Sequence, residues 1–301
     1  MHIVIVETCS RTHESMLHAW SMISEINNWD LMIASTSQIL DDIKDEIPRS
    51  NIEKFLLPDL RPRNLFRLRS YSKKEKIDHI IFMTLDGTSY YWMIFIPIII
   101  QNYCITVHNV RTWFGLNKSK GIKAKARQWI RDQIIKRAHS IFVNSQNMQY
   151  YYEKYAQKNA LMLGVVPFSL RSNSSYKIRE GNEKIYIVYP GTVTTRRKRY
   201  NNFLRLARIY PEVEFILLGQ IMEDEEGETI IEKIESEDLK NVRYFLNYID
   251  SQLYKDYLKK ASALFSEIVI DYRNAGIEEK YGESKDSGIS YLMLEYLVPC
   301  F

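Results

Sequence analysis

EKIYIVYPGTVTTRRKRYNNFLRLARIYPEVEFILLGQ, residues Glu183–Gln220, reads as strand, basic turn, helix and strand in succession. Lys184–Tyr189 is a nearly continuous apolar run, the mark of a strand buried on both faces of a parallel sheet. It breaks at Pro190-Gly191, passes through small hydroxyl residues and four consecutive cations, and re-enters helical spacing over 199–209. Val213–Leu218 then repeats the buried-strand pattern and stops at Gly219. A strand, a helical crossover and a second strand make one βαβ unit.

Outward from this unit the alternation continues in both directions. Downstream, helices are expected at 223–236, 251–261 and 290–297, with strands at 242–246 and 263–268. Val298–Phe301 reads as the start of another strand, so the second domain is expected to stop short of a full doubly wound unit. Upstream, strands are expected at His2–Val6, Asp30–Ser35, Ile77–Met83, Tyr103–Val107 and Ser140–Val143, with helices at 15–26 and 121–138. Residues 169–182, SLRSNSSYKIREGN, suit a linker. The expected fold is therefore α/β, with two Rossmann-like doubly wound domains over 1–170 and 171–301. The apolar stretch Trp92–Ile100 is far shorter than the roughly 20 residues that span a bilayer. Pro97 interrupts it, so it reads as a buried element with a loop.

Of 301 residues, 46% are hydrophobic and 26% charged, an ordinary globular composition. Cys9, Cys104 and Cys300 are too scattered for a zinc site or a disulfide framework and suit a reducing cytoplasm. The N-terminus lacks the basic and apolar regions of a signal peptide. Residues 1–170 carry 22 Lys and Arg against 15 Asp and Glu, and residues 171–301 carry 19 against 22. The basic half points to an anionic partner, while the acidic half argues against nucleic acid. Two basic stretches, 61–76 and 118–137, have aromatic neighbours (Trp113, Phe114 and Trp129 near the second) and read as peripheral contacts with an anionic membrane.

No Walker loop, GxGxxG or GxSxG occurs, and there is no Asp-x-Asp to clamp a metal–nucleotide. His13 and His18 are one residue too far apart to share a helical face as zinc ligands. The local feature that carries chemistry is Pro190–Arg199. A strand's carboxyl end opening onto a helix start is where doubly wound sheets bind ligands, and the free N–H groups there favour anions. Arginines add bidentate bonds to phosphate oxygens. Asp86, in Leu85-Asp86-Gly87-Thr88, is read as a turn residue.

These stretches, with NVRYFLNYIDSQLYKDYLKKASALF (241–265), resemble the donor domain of GT-B glycosyltransferases of the large family 4 type. In that family a strand–glycine loop and a basic pair hold the donor diphosphate. The resemblance places Arg199 at the family's lysine, with Arg196 or Arg197 as the partner, and Gly191 and Thr192 in the loop. It places Asn247-Tyr248-Ile249 at the nucleobase contact. Thr106–Asn109 resembles the strand-end motif whose histidine, here His108, faces the sugar as the catalytic-site residue. Val143–Gln146 resembles the strand end that follows, and Val165–Phe168 the crossover into the second domain.

The resemblance implies two domains facing across a cleft, the first holding the acceptor and the second the donor. It implies metal-independent, retaining transfer from a nucleotide diphosphate sugar to a hydroxyl of a glycan or lipid-linked acceptor, with no cofactor beyond that donor. Bacterial polysaccharide synthesis at the inner face of the membrane is the setting it suggests. The family's two glutamates, eight residues apart, map to Ser287 and Glu295, so the first is replaced. Glu283 is the carboxylate that can reach in instead, and Ser287-Gly288 offers N–H groups to the diphosphate. Glu14 falls at the family's N-terminal helix glutamate. The alternative on the same scaffold is a nucleotide-sugar epimerase or a non-catalytic nucleotide-sugar-binding protein.

Overall fold

The computed structural model describes residues 1–8, 14–43, 52–85, 90–117, 121–156, 161–162, 184–222, 225–274 and 277–301. The chain divides into two compact units, Met1–Val166 with Ala275–Asp286, and Pro167–Asn274 with Ser287–Phe301. The linker at 169–182, the crossover Val165–Phe168, His13, Asp86 and residues 118–120 lie outside the described residues, as does the side chain of Glu14.

Unit 1 contains β1 (His2–Glu7), α1 (Glu14–Ile26), β2 (Asp30–Ser35), α2 (Ser37–Asp42), β3 (Ile52–Leu56), α3 (Pro62–Lys74), β4 (His79–Phe82), α4 (Tyr90–Met93) and α5 (Ile96–Ile99). It continues with β5 (Tyr103–Val107), α6 (Val110–Trp113), α7 (Ile122–Arg137), β6 (Ser140–Val143), α8 (Gln146–Ala156) and β7 (Leu161–Met162). Its seven strands are all parallel, in the order β3-β2-β1-β4-β5-β6-β7. Alternate strand residues serve opposite faces. Val4, Val6, Phe82 and Ile105 pack under α3, α5, α7 and α8, while Ile3, Ile5, Ile33 and Met83 pack under α1. Both faces are therefore covered, which is why the strands read as unbroken apolar runs. Strand order reverses between β1 and β4, so their carboxyl ends form the switch point of this sheet.

Unit 2 contains β8 (Tyr186–Pro190), α9 (Asn201–Ile209), β9 (Glu214–Gln220), α10 (Glu225–Ser236), β10 (Val242–Phe245), α11 (Ser251–Lys260), β11 (Ala263–Leu264) and β12 (Asp271–Asn274). After β13 (Ile277–Lys280), which lies in unit 1, the chain supplies α12 (Ile289–Tyr296) to unit 2. The sheet is parallel, in the order β10-β9-β8-β11. Its switch point lies between β8 and β11. Pro299–Phe301 extends it as the sequence predicts: Leu264 N–H donates to Pro299 O (2.7 Å) and Ser266 N–H to Phe301 O (3.0 Å). Helices α11 and α12 cover one face through Leu258, Leu292 and Met293, and α9 and α10 the other through Phe203 and Ile230. Among the described residues, no helix is long and apolar enough to cross a membrane.

Three local expectations change. The strand expected over 263–268 is hydrogen-bonded in the sheet only at Ala263–Leu264. Beyond it, Glu267 gives its N–H to Tyr189 Oη (3.0 Å) and its carbonyl to Arg199 N–H (2.8 Å), so the chain leaves the sheet to line the switch point. The same bond keeps Arg199 out of α9, which begins at Asn201 instead of 199. Trp92–Ile100, expected as a buried element with a loop, holds the end of α4 and all of α5, with Pro97 in the first turn of α5 and Trp92 and Ile98 exposed.

Close packing at β9 has a definite requirement. A Cβ on Gly219 would stand 2.5 Å from both the carbonyl carbon and oxygen of Gly191 and 2.8 Å from Thr192 N. Backbone cannot yield as a flexible side chain can. Gly219→Ala is expected to lower unit 2 stability by about 2 kcal/mol or more, the usual scale of overpacking, read as a shift of the urea midpoint.

Candidate functional site

The turn after β8 is built around Lys198. Its ammonium donates to three carbonyl oxygens in succession, Pro190 (2.7 Å), Gly191 (2.8 Å) and Thr192 (3.0 Å), and lies 5.1 Å from the centre of the Tyr189 ring. Gly191 adopts the left-handed backbone (φ 83°) that this bend needs. The far side of the loop is tied to the segment after β11. Val269 N–H donates to Arg197 O (2.8 Å), and Lys198 and Ile268 form an antiparallel bridge. Burial, with the Arg197 charge adding to it, pushes the Lys198 ammonium down to about 7. Arg199 braces the same loop, its Nη1 donating to Thr195 O (2.9 Å), and its side chain stays exposed.

Gly191, Thr192, Arg197 and Arg199 thus lie together at the carboxyl edge of β8. In a parallel sheet each helix starts at that same edge, so Tyr248 after β10 and Ser287-Gly288 before α12 share it. Tyr248 is exposed, and Asp250 beside it caps α11 by accepting from Leu253 N–H (2.9 Å). Helix α12 begins at Gly288 with no side-chain cap, although Ser287 Oγ accepts a long bond from Ile289 N–H (3.4 Å). A Cβ on Gly288 would meet nothing within 4 Å, so the approach to this terminus is open. Glu295 and Tyr248 both act on Tyr254, whose hydroxyl is pushed up chiefly by burial and then by their charges.

Unit 1 carries a second cluster, at its own switch point. His108, half-buried after β5, places Nε2 2.8 Å from Met83 O, and Nδ1 lies 2.8 Å from Asn144 Nδ2. A carbonyl can only accept, so the tautomer that satisfies both contacts carries its hydrogen on Nε2 and accepts from the Asn144 amide on Nδ1. Thr84 Oγ1 lies 3.4 Å from the same Nε2 and donates to Glu7 Oε2 at 2.6 Å. Glu7 is a fully buried carboxylate closing an apolar strand.

Glu283, expected to reach in from the loop before α12, belongs to unit 1, where its carboxylate pairs with Lys280 (2.5 Å). The residue buried there is Glu279. Its carboxylate accepts from Thr112 N–H (2.7 Å), Thr112 Oγ1 (2.5 Å), Arg111 N–H (3.3 Å) and Ser284 Oγ (2.8 Å). Val110 N–H meanwhile donates to Ser284 O (2.9 Å), so this segment receives the N–H groups that open α6. Asp286 accepts from Ser145 Oγ (2.8 Å) ahead of α8, and Lys285 Nζ bonds Asn109 Oδ1 beside His108. Burial raises the Glu279 and Asp286 carboxyls, and these hydrogen bonds oppose the shift.

Sequence reasoning missed Glu7, Thr84, Asn144, Lys198 and Glu279. Only Glu7 and Lys198 carried a signal: a charge ending a buried strand, and the cation between two arginines already chosen. Among the described residues, no three His, Cys, Asp or Glu side chains converge as metal ligands.

No protein-family model matches the chain, and no curated protein matches it in sequence. Solved structures do match in fold. HepE of Anabaena, in complex with UDP and glucose, superposes with a TM-score of 0.58 at 11% identity, over 100% of this chain and 80% of its own. A glycosyltransferase from Rickettsia africae gives 0.54 at 12% identity, over 90% and 74%. The UDP-GlcNAc 2-epimerase of Methanocaldococcus jannaschii gives 0.52 at 12% identity, over 100% and 83%. The fold is the GT-B fold of nucleotide-sugar glycosyltransferases, shared with UDP-GlcNAc 2-epimerases.

Two measurements check the energetics of these clusters. The folded value of Lys198, about 7, lies below its ordinary 10.5. Between the two the unfolded chain holds a proton that the folded chain lacks, so unit 2 gains stability as pH rises through this window. Urea midpoints at pH 6 to 10 are expected to show that rise in the parent and to lose it in Lys198→Met. Glu279→Ala leaves the Thr112 and Arg111 N–H groups buried without acceptors. It is expected to cost unit 1 about 1–3 kcal/mol, with Glu279→Gln costing less.

Proposed function

We propose that this protein is a glycosyltransferase moving a sugar from a nucleotide diphosphate sugar to a hydroxyl of a glycan or lipid-linked acceptor. The observation that carries this reading is the Gly191 turn. It sits at the switch point of a GT-B-type sheet, folded around Lys198 and flanked by Arg197 and Arg199. Unit 2 holds the donor. Gly191 and Thr192 let the diphosphate approach the backbone, Arg197 and Arg199 neutralise it, and the uncapped start of α12 at Ser287-Gly288 adds N–H groups. Tyr248 stacks on the base and Glu295 lies behind it. Glu283 and His108 serve the transferred sugar from unit 1, which holds the acceptor. His108 offers the Nε2 hydrogen that Met83 O now accepts.

Leaving-group stabilisation by fixed cations and dipoles would then do the work otherwise done by a bound metal, with retention at the anomeric carbon. The enzyme works in the cytoplasm, where activated sugars are made. HepE was solved with UDP and glucose, which supports a uridine donor.

The second reading is a nucleotide-sugar epimerase, favoured by the buried Glu7 carboxylate beside Thr84 and His108. Release of nucleoside diphosphate from a panel of activated sugars, with and without acceptor extracts and EDTA, separates the two. The transferase reading expects acceptor-dependent release that survives EDTA and falls about 10- to 100-fold in Arg199→Ala, the scale of losing a charge-assisted phosphate bond. Acceptor-free exchange of solvent deuterium into the sugar, without release of the nucleotide, would favour the epimerase.

A further inference from the structure

Helices α3, α5 and α7 lie side by side on one face of the unit 1 sheet, with α5 in contact with both others. Their inward residues, Leu65, Leu68, Ile99, Ile130 and Ile134, make the core. Outward, the face combines two features that rarely coincide on a surface exposed only to water. Large apolar side chains stand out from it: Ile122 is 87% exposed, Ile98 60%, Trp129 56% and Phe66 52%. Ile122 and Trp129 are seven residues apart on α7 and so lie on one stripe. Around them the charge is almost all positive. Residues 61–76 hold seven Lys and Arg against Glu75, and 121–137 hold six against Asp132.

At the amino edge of the sheet this face contains a cavity of about 190 Å³ between the ends of α3 and the starts of β4 and β5. Arg69, Lys73 and Lys76 line it with Ser72, Gln101 and Asn102, and no carboxylate does. Among the described residues, none of the three cations makes an ion pair.

Lys76 is also an unusual residue for its backbone. It holds a left-handed conformation (φ 52°) just past the end of α3, where Ile77 N–H returns to Ser72 O (2.9 Å). Glycine is the favoured residue at that position of such a helix stop. A lysine there gives up backbone comfort for a charge at the mouth of the cavity.

We propose that the α3–α5–α7 face is a docking surface for an anionic lipid bilayer. Ile98, Phe66, Ile122 and Trp129 enter the interface, and the Arg69–Lys73–Lys76 cavity receives a lipid phosphate. Polyanionic RNA is the less fitting occupant, because aliphatic Ile98 and Ile122 have nothing to offer a phosphodiester strand. The cavity lies at the amino edge of the sheet, opposite the His108 edge, so lipid and sugar chemistry do not compete for the same groups.

The test is co-sedimentation of the full chain with vesicles of phosphatidylcholine alone and of phosphatidylcholine with about 30% phosphatidylglycerol. Binding is expected only to the anionic vesicles, weakening as salt is raised. The variant carrying Arg69→Gln, Lys73→Gln and Lys76→Gln is expected to bind on the order of 100-fold more weakly, each cation being worth about fivefold. Ile98→Ser with Trp129→Ser also weakens binding. Lys76→Gly alone, which the backbone favours, keeps or gains thermal stability yet loses about fivefold in binding.

Equal binding to both vesicle types, or unchanged binding by the triple variant, overturns the proposal. So does displacement by millimolar inorganic phosphate without any vesicle retention, which would mark a free-phosphate site. Tight RNA binding that depends on the three cations but not on Ile98 and Trp129 overturns it as well.

Discussion

Parallel strand pairing forces every crossover helix in a sheet to start at the same edge, and the N–H groups that open each helix arrive there without intrahelical acceptors. Much of what distinguishes the two units follows from how each answers that demand. In unit 1 the answer is internal: Glu279 and the Ser284 carbonyl receive the first N–H groups of α6, and Ser145, itself bonded to Asp286, caps α8. In unit 2, Asp250 caps α11, but α9 and α12 have no side-chain cap, and four consecutive cations precede α9. Carboxylates thus receive N–H and O–H groups beside His108, while cations gather beside Gly191.

The Gly191 turn is held by two complementary devices. Gly219 removes a side chain so that the turn can lie against β9, and the Lys198 ammonium supplies N–H donors to three successive carbonyls. Buried carbonyls clustered in this way repel one another unless a cation sits among them. The cost is borne by the ammonium, which loses water and faces Arg197. An anion bound at the turn would reverse that cost, since negative charge nearby favours the protonated lysine. The interaction that shapes the loop would thus be strengthened by a bound anion.

Much of this was legible in the residues, and the reasons are physical. Strands buried on both faces, such as Ile3–Val6 and Ile80–Phe82, announce themselves because no polar residue interrupts them. The Gly191 turn was legible because proline, glycine and a run of cations punctuate a strand end. Membership of Ala275–Asp286 in unit 1 was not, because it rests on Glu279 meeting Thr112 across 167 positions, and nothing local in IEEK or YGESKD marks it. Nor was Lys198 chosen over its neighbours: among Arg196-Arg197-Lys198-Arg199, only the three-dimensional bend decides which cation turns inward. Glu7 and Thr84 meet from two strands separated by 77 positions, a pairing that strand spacing alone does not disclose.

The route of the chain has a consequence for how the protein is made. Unit 1 is begun by the first 166 residues, left while Pro167–Asn274 is threaded into unit 2, and revisited by Ala275–Asp286 before Ser287–Phe301 returns to unit 2. A chain emerging from the ribosome can assemble the seven-stranded sheet early, but α6 must wait for more than a hundred further residues before Glu279 reaches it. Until then its leading amides, next to His108, have only water as a partner. The edge bearing the histidine is the last part of unit 1 to be completed, by a piece of chain delivered from the far side of the other unit's sequence. A nascent chain halted before residue 279 lacks the carboxylate that receives the Thr112 and Arg111 N–H groups.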